Sequence, residues 1–212
     1  MRTAKITRET KETKISAEIA LDMETGGGSS RREAGGEGAG AEGRRIATGS
    51  GFLDHMLTLF AFHSGFSLAI EASGDTDVDF HHLTEDIGIV LGQCVKDALG
   101  GARGITRYAS AFLPMDETLV LVALDISGRA HLNYDVEIGA PKVGDFDTEL
   151  AQEFLIGLCR ALGLTLHVKL FYGVNAHHII EAIFKGLGRA LREAVKIDPA
   201  MKGAIPSSKD LL

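Results

Sequence analysis

HHLTEDIGIVLG, residues 81–92, and HHIIEAIFKGLG, residues 177–188, share one pattern. Each has adjacent histidines, a glutamate four residues after the first of them, and an apolar tail of helical periodicity. A lone copy reads as a solvated first helical turn. Two copies in a chain of 212 residues point to an internal duplication. His81 to His177 and Glu85 to Glu181 are both 96 residues apart, and Gly65 to Gly163 is 98, so the intervening loops differ by two. The segments before them also match. ETKISAEIALDM (residues 12–23) resembles ETLVLVALDISG (117–128), and SGFLDHMLTLFAFHSG (50–65) has its counterpart in DTELAQEFLIGLCRALG (147–163). The strand-like FSLAIEASG is matched by LTLHVKLFYG. The chain therefore reads as an α+β fold of two similar halves, each a small sheet with helices packed on one face. Residues 1–102 form the first half and 103–212 the second, in one compact unit. A glycine-rich, charged insertion at about 25–48 reads as a surface loop.

Composition limits the function. An apolar content of 45% with 24% charged residues is that of a globular protein. A net charge of −7 with no massed basic residues argues against a nucleic-acid or membrane-surface partner. There is no apolar leader and no run of transmembrane length, and the two cysteines, Cys94 and Cys159, fit free thiols of a cytoplasmic protein.

On a helix, His81 and Glu85 share a face, as do His177 and Glu181, whereas His82 and His178 are rotated by about 100° from their neighbours. Adjacent histidines thus diverge and serve different sites. Imidazole with carboxylate suits a borderline divalent cation such as Mn, Fe or Zn. The 98-residue offset places Glu153 opposite His55, giving eight candidate ligands: His55, His81, His82, Glu85, Glu153, His177, His178 and Glu181. His63, His131 and His167 lack such an arrangement and read as structural. Arg107, Arg129, Lys185, Ser207, Ser208 and Lys209 together could clamp a phosphate. No Walker loop or GxGxxG fingerprint is present.

These motifs, with RETKET, GFLDHML, GITR, DISGR, NAHHIIEAIFKGLGRAL and IPSSK in order, resemble the imidazoleglycerol-phosphate dehydratase family along nearly the whole chain. The resemblance implies halves of the ribosomal protein S5 domain 2-like kind. It also implies trimers assembling to a homo-oligomeric 24-mer and two manganese ions per subunit. The implied reaction converts D-erythro-imidazoleglycerol phosphate to imidazole-acetol phosphate in histidine biosynthesis. Metals on the ring nitrogens would favour the imidazolate, expel the hydroxyl as a diazafulvene forms, and so acidify the adjacent C–H for a carboxylate base. Carried over by motif, the eight residues above form the metal set. Glu12, Asp116 and Glu181 are then the candidate acid–base residues, with Glu12 leading. Arg107, Arg129, Lys185, Ser207, Ser208 and Lys209, with Glu12, contact substrate or its phosphate. Three departures stand out: Phe80 where the family usually has Asp, Glu153 where some members have His, and Asp210 where glycine is usual. The competing readings are a di-metal phosphatase or hydrolase and a non-catalytic metal-storage shell.

Overall fold

A computed structural model describes residues 1–22 and 45–209. Most of the glycine-rich insertion and Asp210 lie outside the described residues. The first half comprises strands β1 (Thr3–Glu9), β2 (Thr13–Ala20), β3 (Ile46–Ala47), helix α1 (Gly51–Ser64), strand β4 (Ser67–Gly74) and helix α2 (His81–Leu99). The second begins with β5 (Tyr108–Met115), β6 (Thr118–Asp125) and β7 (His131–Asp135), followed by the short hairpin β8 (Lys142–Val143) and β9 (Phe146–Asp147). Helix α3 (Leu150–Leu162), β10 (Thr165–Tyr172), α4 (Ala176–Ala194) and a 3-10 turn (Pro199–Met201) complete it. The sheets have one topology, β1-β2-β4-β3 and β5-β6-β10-β7, and in each the last strand runs parallel to its neighbour. This is the duplication expected from the paired motifs. One difference concerns the insertion: its end, Ile46–Ala47, is an edge strand registered on Ile70–Glu71.

Alternation builds the sheets. Thr13, Ile15, Ala17 and Ile19 of β2 turn inward while Lys14 and Glu18 face out. The helices lie between the sheets, α2 along α3 and α1 along α4, so the first helix of each half packs on the second helix of the other. Glycines permit this closeness. A Cβ on Gly188 of α4 would stand 2.8 Å from the Phe60 carbonyl oxygen of α1, and one on Gly157 of α3 would stand 2.5 Å from that of Glu85 on α2. Aromatic packing fills the seam, with the fully buried rings of Phe154 and Phe184 5.0 Å apart. Each buried ring contributes roughly 1.5–3 kcal/mol. Among the described residues, no helix is long and apolar enough to cross a membrane.

Cys94 and Cys159 are free and buried in the helices, and burial pushes both thiols up to about 12. Burial does the same to the Tyr134 phenol. Each group has its folded pKa above the unfolded one, so its contribution is fully present below the ordinary thiol or phenol value. It is lost as the pH rises from there towards 12. We expect the native thiols to resist iodoacetamide at neutral pH and the urea midpoint to fall with alkalinity in that window. Rapid alkylation of the folded protein would contradict this.

Candidate active site

The crossing of α1 and α4 brings His55, His177 and Glu181 together. Among the described residues, theirs is the one group of three or more His, Cys, Asp or Glu ligand atoms lying mutually within 4.8 Å. Glu181 Oε2 is 3.0 Å from His177 Nε2 and 3.8 Å from His55 Nε2. The other Glu181 oxygen pairs with the Lys185 ammonium. Burial works against the Glu181 charge, but Lys185 and His177 outweigh it and hold the carboxyl below the usual range. The ligand types fit a borderline divalent cation: two imidazoles and an ionised, half-neutralised carboxylate gather at one point, with His177 Nε2 donating to Glu181 at 3.0 Å, a hydrogen that a cation would replace.

The neighbouring histidines diverge, as the helix geometry requires. The His177 and His178 ring planes stand at 85°, and those of His81 and His82 at 87°. His178 turns to the β5–β6 hairpin. Its Nδ1 is 2.7 Å from Glu117 Oε2, and its Nε2 is 3.7 Å from Asp116. His82 turns to the loop after β4, with Nδ1 2.9 Å from Asp75 and 3.9 Å from Glu12. Glu117 comes first in raising the His178 pKa, and Asp75 does the same for His82. In return, His178 and the backbone N–H of Asn175 lower the Glu117 carboxyl to about 2.

The α2–α3 crossing is related to the α1–α4 one by the duplication, but its ligands do not close on one another. His81, Glu85 and Glu153 form no such cluster, and Glu85 accepts from Arg160 at 3.3 Å. Of the eight candidate ligands, three converge within the chain, His55, His177 and Glu181, and the other five do not join them. The Phe80 departure proves local. Phe80 makes no capping hydrogen bond, but Asp79 accepts from His81 N–H at 2.7 Å, as Asn175 caps α4 at 2.9 Å.

The cationic residues gather elsewhere. Arg107, Arg129, Ser207, Ser208 and Lys209 line one cavity of about 490 Å³, with Tyr108, Ser127 and Pro206. Arg107 holds a left-handed backbone (φ 76°). Its guanidinium forks onto Asp125 at 2.7 and 3.2 Å and donates to the Pro206 carbonyl at 2.7 Å, tying the C-terminal segment to the sheet. Asp125 thus already balances Arg107, leaving Arg129 and Lys209 as cations without an ion-pair partner among the described residues. Lys185, grouped with these by sequence, is not in this cavity but on α4 beside Glu181. His63 stands two turns beyond His55, away from the cluster. The rings of His131 and His167 lie 5.9 Å apart on exposed sheet positions.

Two residues of this site escaped the sequence reading. Glu117 had a signal, since the matched segments place it opposite Glu12. Asp75 had none, because its role arises from a turn that brings it under His82.

Comparison with known proteins identifies the family. Residues 48–191 match the family model described as imidazoleglycerol-phosphate dehydratase. The chain is 56% identical over 212 residues to the imidazoleglycerol-phosphate dehydratase of Xanthobacter autotrophicus, covering 100% of this chain and 99% of that one. It is 55% identical to that of Azorhizobium caulinodans with the same coverage. The crystal structure of IGPD from Pyrococcus furiosus superposes with a TM-score of 0.78 at 40% identity, covering 98% of this chain and all of that one. The enzyme from Staphylococcus aureus gives 0.77 at 41%, covering 92% and 99%. With half-to-half topology, histidine pairs and sequence in agreement along its length, the chain belongs to the imidazoleglycerol-phosphate dehydratase family and is a hydro-lyase.

Proposed function

We propose that this enzyme removes water from D-erythro-imidazoleglycerol phosphate to give imidazole-acetol phosphate, in the cytoplasm, as a step of histidine biosynthesis. The observation that carries this reading is the separation of two recognition chemistries. A cluster of imidazole and carboxylate suits a metal, and a distinct arginine–serine cavity suits a phosphate. His55, His177 and Glu181 would hold one divalent cation, manganese by preference. Glu153, His81 and Glu85 would contribute to a second. When bound, such a cation supplies Lewis acidity towards the imidazole ring and a template for its orientation.

The protein's own groups do the rest. Lys185 neutralises one oxygen of Glu181 so that the other stays free to ligate. Glu12 Oε, on the exposed turn before β2, takes the proton from carbon, with Asp116 the weaker candidate for that role. Arg129, Lys209, Ser207 and Ser208 hold the phosphate, while Arg107 orders the tail that carries the last three. His82 and His178 turn away from the cluster of their own chain, so each serves a neighbouring copy. Self-association is also favoured by the outer face of the second sheet. It exposes Tyr108, Phe112 and Phe171, where the first sheet shows Lys5, Lys14 and Glu18. We propose trimers that build a 24-subunit shell.

The test is incubation of manganese-loaded protein with imidazoleglycerol phosphate. Appearance of the ketone supports the reading, whereas release of inorganic phosphate instead would replace it with a di-metal phosphatase. In the same assay, Arg129→Ala should raise KM by ~10–100-fold, the loss expected for a charged hydrogen bond, with kcat little changed. An unaltered KM would remove Arg129 from the phosphate site.

A further inference from the structure

The duplication supplies an internal control on the outward-turned histidines, because each half had the same starting parts. Glu12 and Glu117 occupy matching positions, one residue before β2 and β6. Asp75 follows Gly74, which pairs with Thr13 of β2; beyond a bulge in β10 the matching glycine, Gly173, stands against Thr118 of β6, so the residue matching Asp75 is Val174. The second half therefore has an exposed valine where the first has an aspartate. Glu117 reaches His178 instead, at 2.7 Å, and is itself fixed by the backbone N–H groups of Asn175 (2.9 Å) and Val174 (3.3 Å). In the first half Asp75, tethered through its N–H to the Glu12 carbonyl at 3.0 Å, takes the His82 ring at 2.9 Å. Glu12 remains 3.9 Å from that nitrogen, outside hydrogen-bond range, and it is exposed.

An ionised carboxylate only accepts, so a histidine nitrogen within hydrogen-bond distance of it must carry the hydrogen; Asp116, 3.7 Å from His178 Nε2, lies beyond that distance. We infer that Glu117 and Asp75 are positioning residues that set His178 and His82 in the Nδ1–H tautomer, turning each Nε2 lone pair outward. Their unequal division between the halves is what leaves Glu12, the counterpart of Glu117, free to move a proton. The last clause rests on the function proposed above; the tautomer assignment does not.

The experiment is long-range ¹H–¹⁵N spectroscopy of histidine-labelled full-length protein before metal addition, with the pH raised until the His82 and His178 signals stop moving, paired with Mn²⁺ titration followed by electron paramagnetic resonance. Wild type should show Nδ1–H at both residues. Glu117→Ala should shift His178 alone towards the other tautomer, and Asp75→Ala should shift His82 alone. Each should weaken manganese binding by ~10–100-fold. Glu117→Gln, which keeps an accepting oxygen and guards against misfolding of the alanine variant, should restore both readouts. A purely structural role would lower thermal stability yet leave the tautomers as they were. Unchanged His178 and His82 signals in the respective variants overturn the inference. If the tautomers shift as expected but the wild type does not dehydrate the substrate, the positioning role stands and the proposed function fails.

Discussion

Glutamine in place of Glu12 is expected to lower kcat by ~10²–10⁴-fold, the usual scale for loss of a general base, without lowering the manganese retained. The expectation follows from contacts. Glu12 is the exposed carboxylate beside His82 that neither caps a helix nor orients an imidazole, so its removal leaves the metal-ligating groups undisturbed. His177 and Glu181 show the contrast, since losing either removes a ligand from the one cluster that converges among the described residues. Rapid-quench turnover and metal analysis on the same preparation decide the matter. Full turnover by the glutamine variant would transfer the proton-moving role to Asp116, which lies 3.7 Å from His178 Nε2.

Valine at Gly157 is expected to destabilise the fold by about 3 kcal/mol, the upper range for overpacking a close-packed interior. The reason is backbone rather than side chain: the new Cβ would meet the Glu85 carbonyl oxygen at 2.5 Å and the Ile89 nitrogen at 3.1 Å. Neither can move without lifting α2 from α3. The urea midpoint should drop at unchanged slope, and the displacement of α2 should also disturb His81. Gly139→Ala is the control, because nothing lies within 4 Å of a Cβ there. Equal stability of the two variants would mean that the helices tolerate a wider spacing than the glycines suggest.

Much of this was legible in the order of residues. Alternation in ETKISAEIALDM and helical spacing after each His-His pair marked strands and helices, and the constant offsets exposed the duplication. Divergence of adjacent histidines followed from helix geometry alone, and the separate partners of His177 and His178, Glu181 and Glu117, agree. Strand β1 is poorly marked in the sequence because its inward positions, such as Ala4 and Ile6, are only half-buried. The phosphate-like cavity was readable as a list of residues, but Lys185 lies apart from it, paired with Glu181 one helical turn away.

Sequence alone thus determined the paired halves, the elements of each, and the residue types that face a cation or an anion. Those properties depend on periodicity and chemistry within short segments. Tertiary structure alone decided which histidine meets which carboxylate. The helices pair across the halves, α1 with α4 and α2 with α3, so ligands distant in the chain converge at a crossing whose closeness is set by glycines. The different fates of Glu12 and Glu117 were decided there too, because Asp75 takes the histidine in one half, while the matching loop residue in the other is Val174, which leaves that histidine to Glu117.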